Sequence, residues 1–138
     1  MSEADLFEKF FQSKSFAVVG AAKNRDKYGN KVLRCYMQHD LEVYPVNLRA
    51  GEIEGLTCFA TVQNLPDGVQ SISVITPPPV TEQIVRDAIA RGIKNIWMQP
   101  GAESPLAIEQ CREGGVNYSA DGSCVLVHLG FDNSWTPT

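Results

Sequence analysis

The chain has 138 residues, 43% of them hydrophobic and 20% charged, which suits one hydrophobic core, is too short for two, and is too apolar for a disordered chain. Twelve Lys and Arg against sixteen Asp and Glu leave a net charge of −4, which argues against a globally basic nucleic-acid binder. No apolar run approaches the roughly 20 residues of a membrane helix, residues 1–5 are too acidic for a secretory signal, and Cys35, Cys58, Cys111 and Cys124 have neither C-x-x-C nor zinc-site spacing, so a soluble protein of the reducing cytoplasm is expected.

Along the chain, Ser2 is placed to cap a first helix whose stripe is Leu6, Phe7, Phe10 and Phe11. Residues 15–19 are short, β-branched and stopped by Gly20, the pattern of a buried strand. A polar loop over 21–29 leads to a helix over 31–39 with Val32, Leu33, Tyr36 and Met37 on one face. Residues 42–46 predict a second strand, with Pro45 near its end or at a sheet edge. Residues 51–55 are turn-rich, 62–65 predict a short helical turn, and Pro66-Asp67-Gly68 is a turn signature. A strand over 71–75 closes on Thr76-Pro77-Pro78-Pro79. Thr81 is then expected to cap a helix with Ile84, Val85, Ala88 and Ile89 inward and Gly92 at its end. A strand over 95–98 runs into Gln99-Pro100-Gly101, and Ser104-Pro105 opens a helix that Gly114-Gly115 ends. A strand over 116–119 and an apolar run over 124–129 follow, with residues 132–138 expected to fray.

Strands and helices alternate, and the strands are continuously apolar, so parallel strands covered on both faces are expected. The fold class is therefore α/β: a single Rossmann-like, doubly wound, mainly parallel sheet flanked by helices, occupying residues 1–138 as one domain. Ligands of such sheets bind beyond the carboxyl ends of the strands, where strand order reverses. The loop after the first strand is the most suggestive. Gly20 and Gly29 permit close backbone approach, and a helix start favours anions. Lys23, Arg25, Lys27, Lys31 and Arg34 crowd this stretch with only Asp26 to oppose them. A P-loop is excluded, G-x-G-x-x-G is absent, and Asn47 stands where a dinucleotide enzyme would place an acid for ribose hydroxyls. A phosphate-bearing ligand other than NAD is indicated.

Several motifs together resemble the CoA-binding domain family, stand-alone relatives of the N-terminal domain of the succinyl-CoA synthetase α subunit. They are Phe16-Ala17-Val18-Val19-Gly20-Ala21-Ala22 with Lys27-Tyr28-Gly29, then Val43-Tyr44-Pro45-Val46-Asn47, then Ile75-Thr76-Pro77-Pro78-Pro79, then Trp97-Met98-Gln99-Pro100-Gly101-Ala102 and Gly122-Ser123-Cys124-Val125-Leu126-Val127. The resemblance spans about residues 10–130. It implies CoA or an acyl-CoA as ligand, with the first loop on the pyrophosphate and the loops of Asn47 and Pro77-Pro78-Pro79 along the adenosine and the start of the pantetheine arm. Cofactor-binding candidates are Gly20, Ala21, Ala22, Lys23, Arg25, Lys27, Tyr28, Gly29, Asn47, Arg49, Thr76, Pro77, Pro78 and Gln99. Ala22, Thr76 and Pro79 depart from residues common among the relatives. The three prolines lack backbone donors and are stiff, which suits a preformed apolar wall.

No catalytic residue and no metal ligand is assigned. The histidine-bearing domain of nucleotide-forming CoA ligases does not fit in this length. His39 reads as a helix-end cap and His128 as structural. Cys124 and His128, four apart, would meet on a helix but not on a strand, and Cys35 has the cationic neighbours that lower a thiol pKa. Trp97 reads as a core anchor at a strand end, with base stacking as its functional alternative. Two function classes remain: a non-catalytic CoA module acting as sensor or carrier, with a protein partner or a second copy supplying any chemistry, and a nucleotide-cofactor or thiol enzyme on the same fold.

Overall fold

The computed structural model describes residues 3–137; the expected cap Ser2 lies outside them. Five parallel strands form one sheet in the order β2-β1-β5-β6-β7: β1 (Ser15–Val19), β2 (Val43–Val46), β5 (Val69–Val74), β6 (Asn95–Met98) and β7 (Asn117–Ser119). Between β2 and β5 the chain makes a small antiparallel hairpin, β3 (Glu52–Ile53) and β4 (Leu56–Thr57), and a 3₁₀ turn over Val62–Asn64. This is the Rossmann-like doubly wound sheet that the alternation of elements predicts.

Alternate residues of the strands feed two separate cores. Ala17, Val19, Ile72, Val74, Ile96 and Met98 pack with Val85 and Ala88 of α3 (Pro78–Arg91) and with Ala107 and Cys111 of α4 (Pro105–Gly114). Phe16, Val18 and Trp97 face the other way. They meet Phe10 of α1 (Glu3–Phe11), Val32, Leu33 and Tyr36 of α2 (Tyr28–Gln38), and Val125 of α5 (Val125–Leu129). Covering both faces is why β1 and β6 are buried at every position and why their sequences do not alternate. Trp97 is a core anchor. Its ring stacks on Phe7 with centroids 4.7 Å apart, and its indole N–H donates to the Ser123 carbonyl at 2.9 Å.

Element ends correct several expectations. Helix α3 starts at Pro78 with Pro77 as its N-cap, so Thr81 is not the cap. Thr81 is buried in the first turn, where its hydroxyl meets the Thr76 hydroxyl at 2.7 Å. Prolines suit a helix start because their φ is preset and the missing N–H would have had no partner there. Pro77-Pro78-Pro79 is thus the N-cap and first two residues of a helix and not a loop. Helix α2 begins at Tyr28, three residues early, and takes Gly29 into its first turn. The run over 124–129 is the short helix α5. Ser104 caps α4 as expected, its hydroxyl accepting the Ala107 N–H at 3.0 Å, and Gly92 and Gly115 end α3 and α4 in the left-handed region. Beyond Phe131 the chain is bonded to α2: Gln38 and Asp132 exchange two hydrogen bonds of 2.6 and 3.0 Å, and Arg34 reaches Asn133. Among the described residues no helix is long and apolar enough to cross a membrane.

The chain leaves β1 for β2 on one side and returns to β5 on the other, so strand order reverses between β1 and β5. Gly20 sits at that crevice with φ +96, and a Cβ there would collide with the Ile75 carbonyl. Gly20→Ala is expected to cost more than about 2 kcal/mol by urea unfolding, from a backbone clash added to left-handed strain. Gly101, also at positive φ but in open space, sets the comparison: Gly101→Ala should cost about 1 kcal/mol. Equal losses at the two positions would show that conformational strain alone, without the clash, accounts for Gly20.

Candidate functional site

The site forms at the carboxyl ends of β1 and β5. Gly20 lies against the Ile75 carbonyl, and Gly29 packs against the Gly20 carbonyl so closely that a Cβ would collide with it. This draws the start of α2 onto the loop over 20–27. Tyr28 and Gly29 donate no hydrogen bond from their amides among the described residues, and the N-cap Lys27 provides no side-chain acceptor. The start of α2 is therefore an open donor end carrying the positive end of the helix dipole. The start of α3 is closed by comparison. Its N-cap Pro77 and first two residues, Pro78 and Pro79, are prolines without N–H, and the Val80 and Thr81 amides both bond the Pro77 carbonyl.

The basic residues of the loop divide. Lys23 and Lys27 are exposed and make no ion pair or side-chain hydrogen bond among the described residues. Lys31 lies over the exposed Tyr28 ring at 5.4 Å. Arg25 is engaged: its Nε lies 3.5 Å from Glu54 Oε2 and its Nη2 donates to the Trp135 carbonyl at 3.0 Å. Arg34 is not on the surface at all but 1% exposed, which removes it from the expected cationic patch. Its guanidinium bonds Asn30 Oδ1 at 2.6 Å, the Arg25 carbonyl at 3.2 Å and Asn133 Oδ1 at 3.1 Å. Glu54 was invisible as an opponent of these cations because it lies 24 residues from Asn30 in sequence, yet it accepts the Asn30 amide at 3.0 Å.

Other candidates are brought together less directly. Asn47 reaches the loop, but its side chain is committed internally. Nδ2 donates to the Ala21 carbonyl at 2.8 Å, and Oδ1 accepts the amides of Arg49 and Ala50 at 2.8 and 2.9 Å. Arg49 is exposed beside it. Thr76 touches the Gly20 position, and Pro77 and Pro78 begin α3. Gln99 is 3% exposed and turned into a seam, its Oε1 accepting the Val125 amide at 2.9 Å and its Nε2 donating to Cys124 Sγ at 3.2 Å. It secures α5 to the end of β6. A separate open groove of about 1410 Å³, lined by Lys9, Lys14, Lys94 and Asn117 among others, runs from the amino-terminal ends of the strands along β7 to Asp121 and includes none of these residues.

The thiols do not form a nucleophile pair among the described residues. Cys124 Sγ faces Gln99, while the His128 ring stacks on Phe11 at 5.4 Å and tilts against Phe7 at 4.4 Å. His39, at the end of α2, meets the Gly130 carbonyl through Nε2 at 2.7 Å. Cys35 is buried, and burial, with Cys124 adding to it, pushes its thiol up from 9.0 to about 11. Desolvation outweighs the cationic neighbours that sequence suggested would lower it. Burial alone pushes Cys111 up to about 12. Below pH 9 both thiols are neutral in the folded and the unfolded chain. Between pH 9 and 11–12 the unfolded chain releases thiol protons that the folded chain keeps, so stability falls as pH rises. Urea midpoints should therefore drop from pH 9 to 10.5, and the drop should be shallower in Cys35→Ala/Cys111→Ala. Identical slopes for the two proteins would mean that these thiols do not set the alkaline limb.

Three comparisons place this architecture. A conserved hypothetical protein from Pyrococcus furiosus superposes with a TM-score of 0.80 at 42% identity, covering 83% of this chain and 98% of that one. A hypothetical protein from Pyrococcus horikoshii superposes with a TM-score of 0.85 at 28% identity, covering 92% of this chain and 89% of the other. The α subunit of an ADP-forming acetate–CoA ligase II from Pyrococcus furiosus is 26% identical over 92 residues, which is 66% of this chain and 20% of the subunit. The chain thus spans 12–20% of the length of the curated acetate–CoA ligases it matches. The sequence profile of the CoA binding domain family matches residues 14–129, from the residue before β1 to the end of α5. The chain belongs to the CoA binding domain family.

Proposed function

We propose that the chain binds CoA or an acyl-CoA with its phosphates on the loop after β1, and that it acts as a non-catalytic module, a sensor or carrier in the cytoplasm. The observation that carries this reading is the coincidence of two things. The family match runs through residues 14–129, and the open start of α2 falls at the strand-order reversal within it. Lys23 and Lys27 in the loop, and Arg49 beside Asn47, make no ion pair among the described residues and are assigned to the phosphates. CoA carries a 3′-phosphate on its ribose. An acid at the end of β2 would repel it, and residue 47 is Asn. The pantetheine arm would run from Gly20 past Thr76 and Pro77 toward Gln99. Because Gln99 is held by Val125 and Cys124, it shapes the far wall through α5 and is not a free donor to a thioester. A second protein, or a second copy of this chain, would supply any chemistry at the thiol.

A thermal-shift series with CoA, acetyl-CoA, NAD, NADP and ATP at matched salt tests the ligand. CoA at 100 times its Kd should add roughly 2.7 kcal/mol of stability. A shift with NAD and none with CoA would overturn the reading. Lys27→Ala should weaken CoA binding by about 1–2 kcal/mol at low salt and by less at high salt, as expected for an exposed charge-assisted contact. Unchanged affinity at low salt would return Lys27 to a merely solvated role and pass the assignment to Lys23.

Incubation with acetyl-CoA tests the non-catalytic part. Free thiol should appear no faster than in buffer. Steady release abolished by Cys124→Ala would instead support a thiol enzyme.

A further inference from the structure

Successive carbonyl groups of the loop after β1 are held from behind by side chains. Asn47 Nδ2 donates to the Ala21 carbonyl at 2.8 Å. Asn30 Nδ2 donates to the Ala22 carbonyl at 2.9 Å and to the Lys23 carbonyl at 3.3 Å. In a planar trans peptide the C=O of one residue and the N–H of the next point in opposite directions. Fixing the carbonyls of Ala21, Ala22 and Lys23 therefore turns the amides of Ala22, Lys23 and Asn24 away from Asn47 and Asn30. None of these three amides donates a hydrogen bond among the described residues. Successive outward amides make an anion-binding concavity, here next to the open amides of Tyr28 and Gly29.

The holding side chains are themselves fixed. Arg34 Nε donates to Asn30 Oδ1 at 2.6 Å, which leaves the Asn30 NH₂ to face the loop carbonyls and Glu54. Arg34 also draws in the Arg25 carbonyl at 3.2 Å. Its remaining donors go to Asn133, at 3.1 Å to both the carbonyl and Oδ1, and to the Trp135 carbonyl at 3.4 Å, and its guanidinium lies 5.1 Å from the Phe131 ring centre. Asn30 is fully buried and Arg34 nearly so, so neither reaches a ligand on the loop.

We propose that Asn30, Arg34 and Asn47 are positioning residues that preset the amides of Ala22, Lys23 and Asn24 as a nest for a diphosphate. This rests on the reading that the loop takes the phosphates of CoA. The arrangement divides the labour between charge and geometry. The exposed lysines attract the anion, and the buried amide–guanidinium chain keeps the backbone donors aimed before it arrives, which lowers the ordering cost of binding.

The test uses the full chain with inorganic pyrophosphate and with CoA as separate probes, read by calorimetry and by backbone amide resonances. Pyrophosphate should move the amides of Ala22, Lys23 and Asn24. Arg34→Lys keeps the charge and loses the fork that holds Asn30 and the Arg25 carbonyl. It should weaken both probes about tenfold with an unchanged salt dependence, and should shrink the response of Lys23 and Asn24 more than that of Ala22. Asn47→Ala, in a surface loop, should do the reverse: it should reduce the Ala22 response and spare the other two. It carries the test if Arg34→Lys fails to fold. Equal affinity in wild type and a folded variant, or a pyrophosphate response that bypasses the three amides, overturns the positioning role even where CoA binds. Pyrophosphate binding that the variants weaken, in a chain that ignores CoA, upholds the positioning role and removes the CoA reading. Binding of neither probe removes both.

Discussion

Two carbonyl groups occupy the space that side chains at Gly20 and Gly29 would need. The Cα of Gly20 faces the Ile75 carbonyl, and the Gly20 carbonyl faces the Cα of Gly29. These two approaches tie the end of β1 to the end of β5 and to the first turn of α2. The strand-order reversal and the open helix start become one place only because both residues are glycine. A Cβ at either would collide with a backbone carbonyl and force the elements apart. The rest of the site inherits this geometry: the exposed Lys23 and Lys27, the half-buried Thr76 and the committed Asn47.

Behind the loop the protein buries charge and amide instead of hydrocarbon. A buried guanidinium is costly unless all its donors are matched. Arg34 meets that requirement with one side-chain amide from α2, one loop carbonyl, and Asn133 and the Trp135 carbonyl from beyond α5, and with no carboxylate within ion-pair distance among the described residues. Glu54 supplies the compensating negative charge one residue removed, through Asn30 and Arg25. It does so from a hairpin position with φ of 50, an uncommon conformation for a residue with a side chain. The hairpin, α2 and the C-terminal segment therefore converge on the same few polar atoms. A purely apolar filling would have packed as well but would not have oriented the loop carbonyls.

The other pole of the site is organised around α5. Gln99 and Trp97, one past and one within the end of β6, each hold the segment over 123–125 by its backbone. His128 is spent on the Phe7 and Phe11 rings. The residues that looked most chemical in the sequence, a cysteine and a histidine four apart, thus serve to seat a helix of five residues against α1 and β6. The half-buried thiol of Cys124 remains at the edge of this seam, with a primary amide as its neighbour.

The sequence by itself determined the α/β class, the five core strands within a residue or two, and the caps at Ser104, Gly92 and Gly115. These are local matters, set by β-branched runs, glycine conformations and proline placement over a few neighbouring residues. Motifs in order also pointed to the family. Tertiary structure alone decided which polar residues face solvent and which face the protein. Arg34 and Lys31 are three apart on the same helix, and nothing local distinguishes them. One is buried because Asn133, a hundred residues on, offers acceptors for its fork, and the other stays at the surface over Tyr28. The internal hydrogen bonding of Asn47 and Gln99 is hidden from local sequence for the same reason. Their side chains are satisfied by atoms 26 residues away in the chain, Ala21 and Val125, and a hydrogen bond across that separation leaves no mark on local sequence.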